Sequence, residues 1–552
     1  MATLQADLIL IGAGYAGICA FEAASHHLSK GSRVVVVDRN EKWGGMWNHV
    51  YDYVRLHQPY KNFTAGARQW SIGSTKPDHY LARKGEILSH FTDISLVSIA
   101  EKELDVVFLF SHEIDNAQLQ NVRTCIITEK QQADNDKNTS KNKQVQVVAY
   151  PVGILSTTSA PRVTVTGDRM INAVGFDILR KLPLSLSASS NRVHSLTPAD
   201  ILTGSFTSLT HFSTPSTAPI WVVGSGKTAM DVIYHIAKKE PSLVSRLRCV
   251  SGRGTWFLNR EKFFPTGWYE QYVPSMRTSS DLLFDILEKY DGNNAQHVYQ
   301  EMCASSNAMH SAIPNPSSFV LGISSTEEIN VVRQILSPPT DKIVKGYLVD
   351  VIDDDDASSS SSSSSGGVRL LLRDLSGKHF DRSSPQGTII INATDNLTEE
   401  NANRFVPVID SSGLVLSPQR LCGFTGPSAT LCVHAWYAGT LSRVWKILPR
   451  LCIDIENKSV AGLHLMSCVV LNTAAVMSVI PKTWIQQWIA NGNSAVERYP
   501  MYRMIGTGLR AKRLFPLLMN KFGIIMKERY TDKEPYNYVV KERSSDQVLA
   551  RL

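Results

Sequence analysis

The hydrophobic pattern of the chain contains one arrangement twice. In each copy, four apolar residues lead into a glycine-rich turn, a helical stretch follows, and a β-branched run closes the unit. The first copy consists of Leu8–Ile11, Gly12–Gly17 and Arg33–Val37, and the second of Ile220–Val223, Gly224–Ala229 and Leu247–Val250. Strand, glycine turn, helix and strand make a βαβ unit. The sequence therefore predicts an α/β protein with two such units.

Two polar stretches interrupt predicted strand pairs. Residues 129–144 contain almost no apolar side chain and lie between two apolar runs. A run of aspartates, serines and glycines at 353–367 separates Lys345–Ile352 from Val368–Arg373, which are predicted to form a hairpin. Because flexible polar segments cannot hold a side chain in one place, neither insert is expected to carry chemistry.

The composition excludes several classes of protein. The 552 residues exceed a single hydrophobic core, so two or three domains are expected. A hydrophobic content of 43% and a charged content of 19% are typical of a soluble globular chain. The net charge of +7 is small and no basic run stands out, which argues against a nucleic-acid partner. Eight cysteines without a C-x-x-C pair argue against a disulfide scaffold, a zinc finger and a dithiol centre.

Neither a secretion signal nor a transmembrane anchor is expected. The N-terminus runs into an apolar strand without a basic region or a cleavage site. The best candidate span is Gly462–Ile480, but its polar residues, among them His464 and Asn472, favour a buried helix. These features predict a cytoplasmic protein. The last residues, Ala550-Arg551-Leu552, loosely resemble the S-K-L peroxisomal signal, so import into the peroxisome is the second alternative.

The first glycine turn has the chemistry of a dinucleotide pyrophosphate site. The glycines of G-x-G-x-x-G allow a tight turn, a close backbone approach to the pyrophosphate and close helix packing, and the helix N-terminus favours the anion. Gly12, Gly14 and Gly17 occupy these positions, and Asp38 ends the next strand, 21 residues after Gly17. An acid there accepts hydrogen bonds from a ribose 2′-hydroxyl, which FAD and NAD both present. We therefore expect a dinucleotide at this unit.

The second glycine turn differs at the position that selects the cofactor. Its second strand ends in Ser251-Gly-Arg253-Gly, without a carboxylate. A carboxylate would repel a 2′-phosphate, whereas a guanidinium binds it through directed hydrogen bonds. A P-loop is excluded because one residue, rather than four, separates Gly224 from Gly226. We therefore expect NADPH at the second unit and FAD at the first, with hydride passing between them. The alternative for Arg253 is a solvated turn residue.

Further motifs resemble those of the class B flavin-dependent monooxygenases, which include the flavin-containing monooxygenases, the Baeyer–Villiger enzymes and the plant auxin-forming enzymes. Gly44-Gly45-Met46-Trp47 is similar to the family's G-G-x-W step. Tyr53–Pro59 is similar to the L-H-x-P segment near the flavin ring, and Ile389–Asp395 to the A-T-G strand that returns to the flavin domain. The matches follow the family's order over roughly residues 6–445.

The resemblance implies a domain organisation and a reaction. FAD-binding residues 1–205 and 386–450 would enclose an NADPH-binding domain at 206–385, and a mostly helical region would follow at 451–552. NADPH would reduce FAD, and O2 would add to give a flavin C4a-(hydro)peroxide. That species would oxygenate a small organic substrate at nitrogen or sulfur, or in a Baeyer–Villiger reaction. The C-terminal region would cover the substrate or form a subunit interface, which is compatible with a homo-oligomer.

The resemblance also assigns roles to residues. His57 would lie beside the flavin ring as the catalytic residue and hydrogen-bond the peroxide or the nicotinamide, with a core histidine as the alternative. The residues expected to bind FAD are Gly12, Gly14, Tyr15, Ala16, Gly17, Asp38, Arg39, Gly45, Met46, Trp47, His57 and Gln58. Those expected to bind NADPH are Gly224, Ser225, Gly226, Lys227, Thr228, Ser251 and Arg253. No metal site is expected.

Three positions depart from the family pattern. Ala188 and Ser190 stand where its F-x-G-x-x-x-H fingerprint has Phe and Gly, although His194 is kept. Asp395 replaces the closing glycine of A-T-G. The main alternative function is an NADPH-dependent flavoprotein reductase or oxidase without oxygen insertion. A non-catalytic nucleotide-binding protein is the third hypothesis, and the three departures are its support.

Overall fold

A computed structural model describes most of the chain. The described residues are 2–66, 68–115, 126–128, 143–153, 162–175, 181–201, 217–273, 278–337, 342–354, 367–394, 408–410, 412–418, 426–443, 458–481 and 501–529. Some sequence predictions concern positions outside the described residues, namely the inserts at 129–142 and 355–366, Asp395, and Ala550-Arg551-Leu552.

The strands of the described residues are distributed over four sheets. They are β1 (Ala2–Ile11), β2 (Arg33–Asp38), β3 (Asp105–Phe110), β4 (His112–Ile114), β5 (Ile126–Thr128), β6 (Lys143–Pro151), β7 (Val163–Asn172), β8 (Val193–Leu196), β9 (Ile220–Val223), β10 (Leu247–Val250), β11 (Thr255–Asn259), β12 (Met309–His310), β13 (Ser318–Ser324), β14 (Ile343–Val344), β15 (Tyr347–Asp353), β16 (Val368–Arg373), β17 (His379–Ser384), β18 (Thr388–Asn392) and β19 (Val415–Leu416).

The first βαβ unit forms the centre of an eight-stranded sheet with the order β3-β2-β1-β7-β6-β4. Strand β1 pairs in parallel with β2 and with β7, and β19 pairs with β7 while β5 pairs with β6. Because neighbouring side chains of a strand point to opposite faces, Leu8 and Leu10 join the core that contains the helix Tyr15–Ser25. Ile9 and Ile11 join a second core on the other face. Both faces of the parallel strands are therefore covered.

The second βαβ unit forms an all-parallel sheet with the order β14-β10-β9-β18-β8. Strands β9 and β10 have the predicted bounds, and their register runs from Ile220 opposite Leu247 to Val223 opposite Val250. Every residue of β9 is buried, as expected for a strand inside a parallel sheet. The prediction of two βαβ units in an α/β fold is confirmed.

The strand expected to return the chain to the first domain belongs instead to the second sheet. Strand β18 lies between β9 and β8, where Ile390 pairs with Trp221 and with Ser195. The chain re-enters the first sheet at β19, whose Val415 pairs with Met170 of β7. The sequence motif marks the end of a parallel strand, and such an end occurs in both sheets. The domain boundaries themselves stay a prediction.

The remaining two sheets are small. Strand β11 pairs with β12 in an antiparallel and with β13 in a parallel arrangement. Strands β15, β16 and β17 form an antiparallel meander, which confirms the hairpin predicted around residues 353–367. Ala188 and Ser190 stand where the family fingerprint has Phe and Gly. Ala188 is buried, and its amide donates to the Val351 carbonyl at 2.7 Å, whereas Ser190 is exposed.

The helices cover the sheets and form much of the C-terminal region. Their bounds are Tyr15–Ser25, Lys84–Lys102, Lys227–Lys239, Arg260–Phe263, Trp268–Tyr272, Ser279–Lys289, Ala295–Ser306, Thr326–Leu336, Gly426–Tyr437, Lys458–Met477 and Met501–Arg529.

One helix among the described residues is long and apolar enough to cross a membrane. Ser459–Met477 has a mean hydropathy of 1.7, and 67% of this window is buried inside the protein. Its polar residues His464 and Asn472 are both 0% exposed, and the His464 ring lies 3.2 Å from the Tyr290 hydroxyl. The backbone of Phe319 in β13 packs so closely that a side chain at Gly462 would collide with it. These contacts match the predicted buried helix.

Candidate functional site

The first glycine turn lies at the carboxyl end of β1, between β2 and β7. The Gly12 amide donates to the Val37 carbonyl at 2.8 Å, and the Ala173 amide donates to the Ile11 carbonyl at 2.8 Å. Gly12 has a φ of 95°, which is strained for other residues. A Cβ at Gly17 would lie 1.9 Å from the Gly12 oxygen. The fold itself therefore requires both glycines, one for the turn and one for the close contact of helix and strand.

Gly14 has a different role. It is the N-cap of the helix Tyr15–Ser25 with a φ of −82°, which any residue adopts, and no side chain among the described residues caps this helix end. A Cβ at Gly14 would meet Gly45 Cα at 3.6 Å, an ordinary van der Waals contact. The protein therefore does not need a glycine here for its own packing. The missing side chain leaves backbone amides open to an anion at the helix N-terminus, as a pyrophosphate site requires.

The Gly44-Gly45 step packs directly on this turn. The Gly44 amide donates to the Ala13 carbonyl at 2.9 Å, and a Cβ at Gly45 would lie 2.7 Å from Gly14 Cα. Met46 beside it is 45% exposed, and the Trp47 ring stands edge-on to Phe63 at 5.7 Å. The structure thus brings the predicted flavin-side residues next to the predicted pyrophosphate turn.

The Asp38 carboxylate stabilises the first glycine turn through hydrogen bonds. Its Oδ2 accepts a hydrogen bond from the Ala13 amide at 2.5 Å, and its Oδ1 accepts from the amide and side chain of Asn40 at 2.7 and 2.8 Å. Oδ1 thus uses both of its lone pairs, whereas Oδ2 accepts one hydrogen bond and can accept a second, from a ribose hydroxyl. Asp38 therefore has a structural role beside the predicted one, and Arg39 next to it is exposed.

Tyr15 and Ala16 serve the core more than the turn. The Tyr15 ring stacks on Phe63 with centroids 3.7 Å apart, and its hydroxyl donates to the Thr64 carbonyl at 3.0 Å. Ala16 is 2% exposed. A Cβ at Gly426, the first residue of the helix Gly426–Tyr437, would lie 2.3 Å from the Tyr15 ring. Both residues can therefore contribute only backbone groups or a ring edge to a ligand.

The second glycine turn repeats the first. The Gly224 amide donates to the Val250 carbonyl at 2.8 Å, and the Ala393 amide donates to the Val223 carbonyl at 2.9 Å. Gly224 has a φ of 125°, and a Cβ there would lie 2.6 Å from the Ala393 oxygen. Gly226 caps the helix Lys227–Lys239 with a φ of −76°, and a Cβ there would meet no atom of the described residues within 4 Å. The open position at the helix N-terminus is thus reproduced.

The end of β10 presents Arg253 on a loop. Gly252 and Gly254 on either side have φ values of 52° and 69°, and the Arg253 carbonyl accepts from the Ser317 amide at 3.0 Å. Ser251 is 1% exposed, and its hydroxyl donates to the Val344 carbonyl at 3.3 Å. Of the two predicted residues, Ser251 is therefore engaged inside the protein, and the half-buried Arg253 is the side chain at the surface.

Lys227 is held by carboxylates of the protein. It forms an ion pair with Asp231, one helical turn later, and lies 3.6 Å from Glu328. Burial raises the pKa of the Glu328 carboxyl, but the positive charges of Lys227 and Arg260 outweigh this effect and lower the pKa to about 2. Ser225, also predicted to bind the cofactor, is buried with its hydroxyl 3.4 Å from Thr255 Oγ1. The positive charge of Lys227 is thus balanced within the protein.

His57 lies where the two units meet. Its carbonyl accepts a hydrogen bond from Arg260 Nε at 2.7 Å, while its ring has no hydrogen-bond partner among the described residues. Burial, together with the charges of Lys227 and Arg260, lowers the pKa of the ring to about 3. The imidazole is therefore neutral at pH 7 and can offer one donor and one acceptor. Gln58 beside it is half-buried.

One repeated element was missed from the sequence. The tripeptide Ile-Asn-Ala occurs at residues 171–173 and 391–393, and in each copy the strand, β7 or β18, ends at the asparagine. Asn172 Oδ1 accepts from the Val174 amide at 3.2 Å, and Asn392 Oδ1 accepts from the Thr394 amide at 3.3 Å. Each asparagine shapes the loop against which a glycine turn packs. A search for identical tripeptides behind the two glycine motifs would have found the pair.

Two further histidines lie within elements of the fold: His194, which the family fingerprint keeps, and His434 in the helix Gly426–Tyr437. His194 lies in β8 opposite Ile389. His434 is 5% exposed, its Nδ1 lies 2.9 Å from His27 Nε2, and burial lowers its pKa to about 3. Trp436 donates from its indole to the Gly413 carbonyl at 2.9 Å. The His434 and Trp436 side chains therefore join the helix Gly426–Tyr437 to loops of the first unit.

Comparison with known sequences gives short matches. No family model matches the chain. Over 95 residues the chain is 33% identical to uncharacterised proteins of Mycobacterium bovis and Mycobacterium tuberculosis. The matched part is 16% of this chain and 17% of the mycobacterial protein, so the chain spans about a sixth of the length of the curated relatives it matches.

Comparison with solved structures gives matches to oxygenating enzymes. A closed form of cyclohexanone monooxygenase has a TM-score of 0.42 at 12% identity, covering 93% of this chain and 98% of that one. The polycyclic ketone monooxygenase of the fungus Thermothelomyces thermophila has a TM-score of 0.42 at 11% identity, covering 92% and 88%. An ornithine N-hydroxylase of Kutzneria, solved with reduced FAD, NADP⁺ and L-ornithine, has a TM-score of 0.37 at 11% identity, covering 72% and 83%. Such scores do not assign a function, which has to come from the chain's own residues.

Proposed function

We propose that the chain is an FAD- and NADPH-dependent monooxygenase that inserts one oxygen atom of O2 into a small organic substrate. The observation that carries the proposal is the pair of glycine turns. They share the same backbone hydrogen bonds, but Asp38 ends the strand of one unit and Arg253 follows the strand of the other. An acid suits a ribose hydroxyl, and a guanidinium suits a 2′-phosphate. One chain is therefore equipped for two different dinucleotides.

The first turn fits FAD. Gly14 leaves the helix N-terminus without a side chain, and Gly45 packs on Gly14 without adding one. The pyrophosphate would bind the backbone amides there, and Asp38 would accept from the ribose. Met46 and Trp47, which follow Gly45, would line the flavin side. Tyr15, Ala16, Arg39 and Gln58 would contribute neighbouring backbone or side-chain contacts.

The second turn fits NADPH. Gly224 and Gly226 offer the same open helix end, and Thr228 lies in the first turn of that helix. Arg253 stands on its glycine-flanked loop where the adenosine phosphate would bind. Lys227 would support this site, but its positive charge would not neutralise the cofactor, because Asp231 and Glu328 already balance that charge.

Bound FAD supplies hydride acceptance and oxygen activation, chemistry that protein side chains lack. The residues of the chain bind the cofactors, orient them and exclude water. His57, which is neutral and whose carbonyl is bonded to Arg260, would orient the nicotinamide through one ring nitrogen. It would not act as a general acid at neutral pH, because its proton affinity is too low.

The substrate class is proposed as a nitrogen or sulfur compound or a ketone. Residues 451–552 are proposed to cover the substrate. The helix Lys458–Met477 packs on β13, next to the second unit, and gives this region a fixed attachment.

The test is the fate of oxygen. Purified protein is supplied with NADPH, ¹⁸O2 and a panel of thioethers, amines and cyclic ketones. Incorporation of one labelled oxygen per NADPH, with little H2O2 released, supports a monooxygenase. Release of one H2O2 per NADPH with every substrate would replace the proposal by an oxidase or reductase. A protein purified without flavin, which also fails to bind added FAD, would contradict the assignment of the first turn.

A further inference from the structure

A group of four charged residues bridges the two units. This bridging cluster consists of Lys227, Asp231, Arg260 and Glu328, and their side chains are 12% to 18% exposed. Arg260 Nη2 donates to both oxygens of Glu328 at 3.0 and 3.2 Å. Two positive and two negative charges balance each other in a partly buried place. The cluster therefore holds its geometry without an external ion.

The cluster reaches the first unit through two hydrogen bonds. Arg260 Nε donates to the His57 carbonyl at 2.7 Å, and the Tyr51 hydroxyl donates to Asp231 Oδ2 at 3.0 Å. Tyr51 and His57 belong to the connection between β2 and β3 of the first sheet, whereas Asp231 and Arg260 follow strands of the second and third sheets. Both contacts therefore join the first unit to the part of the chain between β9 and β18, which contains the second unit.

Glu328 is fixed independently of the cluster. Its Oε2 accepts from the Ser324 hydroxyl at 2.7 Å and from the Ser325 amide at 2.9 Å. The Ser325 hydroxyl in turn accepts from the Glu328 amide, which caps the helix Thr326–Leu336. A carboxylate held by the cap of a helix is a rigid anchor. Arg260 thus extends from a fixed point to the His57 carbonyl.

From these contacts we propose that Arg260 is a positioning residue that holds the His57 segment at a fixed distance from the second glycine turn. The inference rests on the proposed function in one respect: the distance matters because hydride must pass between the cofactors of the two units. Misplacement of reacting groups by about 1 Å can cost about 100-fold in rate. Lys227 and Glu328 act as the support of Arg260 and not as ligands of the cofactor.

The test uses the full-length protein with three substitutions. Arg260→Gln removes the guanidinium. Arg260→Lys keeps the positive charge, but a single ammonium group cannot bind the His57 carbonyl and the Glu328 carboxylate together as the guanidinium does. Tyr51→Phe removes only the hydrogen bond between Tyr51 and Asp231. The matched control is Lys238→Gln. Lys238 pairs with Glu327 at 2.8 Å between the same two helices, but the pair is exposed and lies outside the cluster.

The first readout is amide hydrogen exchange and does not depend on activity. The Leu56 and Tyr60 amides donate to the carbonyls of Ala82 and Tyr80, both at 3.0 Å. Loss of the Arg260 contact should let this segment open, so both amides should exchange about tenfold faster in the two Arg260 variants. A smaller change is expected in Tyr51→Phe and none in Lys238→Gln. Unchanged exchange in all three cluster variants would overturn the proposal.

The second readout is anaerobic reduction of the flavin at saturating NADPH. In the Arg260 variants the reduction rate should fall by about 10- to 100-fold. The Kd for NADPH and the FAD content should stay within about threefold of the wild type, since no ligand of either cofactor is removed. A loss of NADPH affinity with an unchanged rate would make Arg260 a binding residue and overturn the positioning role. A wild-type protein that binds no FAD would overturn the proposed function, while the exchange data would still decide whether Arg260 holds the segment.

Discussion

Alanine at Gly14 and at Gly226 should separate the two cofactor sites. Each glycine is the N-cap of the helix that follows its turn, with φ values of −82° and −76°. Within the part of the chain that the structure describes, a Cβ at Gly14 meets its nearest neighbour at 3.6 Å, and a Cβ at Gly226 meets nothing within 4 Å. Both substitutions therefore fit the backbone and the packing. They share the loss of a favourable N-cap residue, worth about 0.5–1 kcal/mol of stability.

The ligand, in contrast, should be strongly affected. We expect a methyl at either position to narrow the approach of a pyrophosphate to the backbone amides of the helix N-terminus. Loss of one charge-assisted hydrogen bond costs about 1.5–3 kcal/mol, or about 10- to 150-fold in affinity. Gly14→Ala should therefore lose FAD and its yellow colour, whereas Gly226→Ala should keep FAD and bind NADPH more weakly by that factor.

The assays are flavin absorbance per chain after gel filtration and NADPH titration of the folded variants. Gly17→Ala serves as the contrast, because its Cβ would lie 1.9 Å from the Gly12 oxygen and must displace the helix. That variant should unfold at a lower temperature than either of the other two. Stoichiometric FAD in Gly14→Ala, combined with loss of FAD in Gly226→Ala, would refute the placement of the two cofactors.

Three further substitutions test individual side chains. Arg253→Ala should raise the apparent KM for NADPH by about 10- to 150-fold, since a contact to phosphate is worth about 1.5–3 kcal/mol. The use of NADH and the FAD content should stay unchanged. Equal losses with both nucleotides in steady-state titrations would show that Arg253 has a structural role. His57→Ala should keep FAD but release more H2O2 per NADPH. Because burial and two nearby positive charges lower the pKa of His57 to about 3, the pH profile of reduction between pH 5.5 and 8 should keep its shape in this variant. His90 is 1% exposed, and burial lowers its pKa to about 3, below the value of about 6.5 in an unfolded chain. The unfolded state then binds a proton that the native state does not, so stability is lost as the pH falls below about 6.5, by about 1.4 kcal/mol per unit. His90→Gln should lose less unfolding free energy between pH 7.5 and 5.5 than the wild type, and an equal loss would show that His90 is not the cause.

The strands of the second unit were predictable because their pattern is contained within a few neighbouring residues of the sequence. Ile220–Val223 is a short apolar run bounded by glycine, and buried parallel strands have this pattern. The start of β1 was less predictable, since Ala2–Gln5 carries polar and partly exposed residues. Its pairing with β7 extends the strand, and the partner is some 160 residues away in the sequence.

The roles of charged residues could be predicted only in part. The spacing of Lys227 in the glycine motif suggests a cofactor ligand, and Asp231 four residues later is visible as an ion-pair partner. Glu328 is about a hundred residues away, so its contact with Lys227 depends on the tertiary fold. The same holds for Asp38, whose bond to the Ala13 amide follows from the way the turn closes over the strand.

The most direct test of the account is anaerobic mixing of the purified protein with NADPH or with NADH while the flavin absorbance is followed. The account predicts one FAD per chain, bleached by NADPH at least ten times faster than by NADH at equal concentration. This preference for NADPH would come from the contact between Arg253 and the 2′-phosphate. A free-energy difference of about 1.4 kcal/mol corresponds to a factor of ten. A protein that carries no FAD, or whose flavin is reduced equally well by NADH, would contradict the assignment of two different dinucleotides to the two glycine turns.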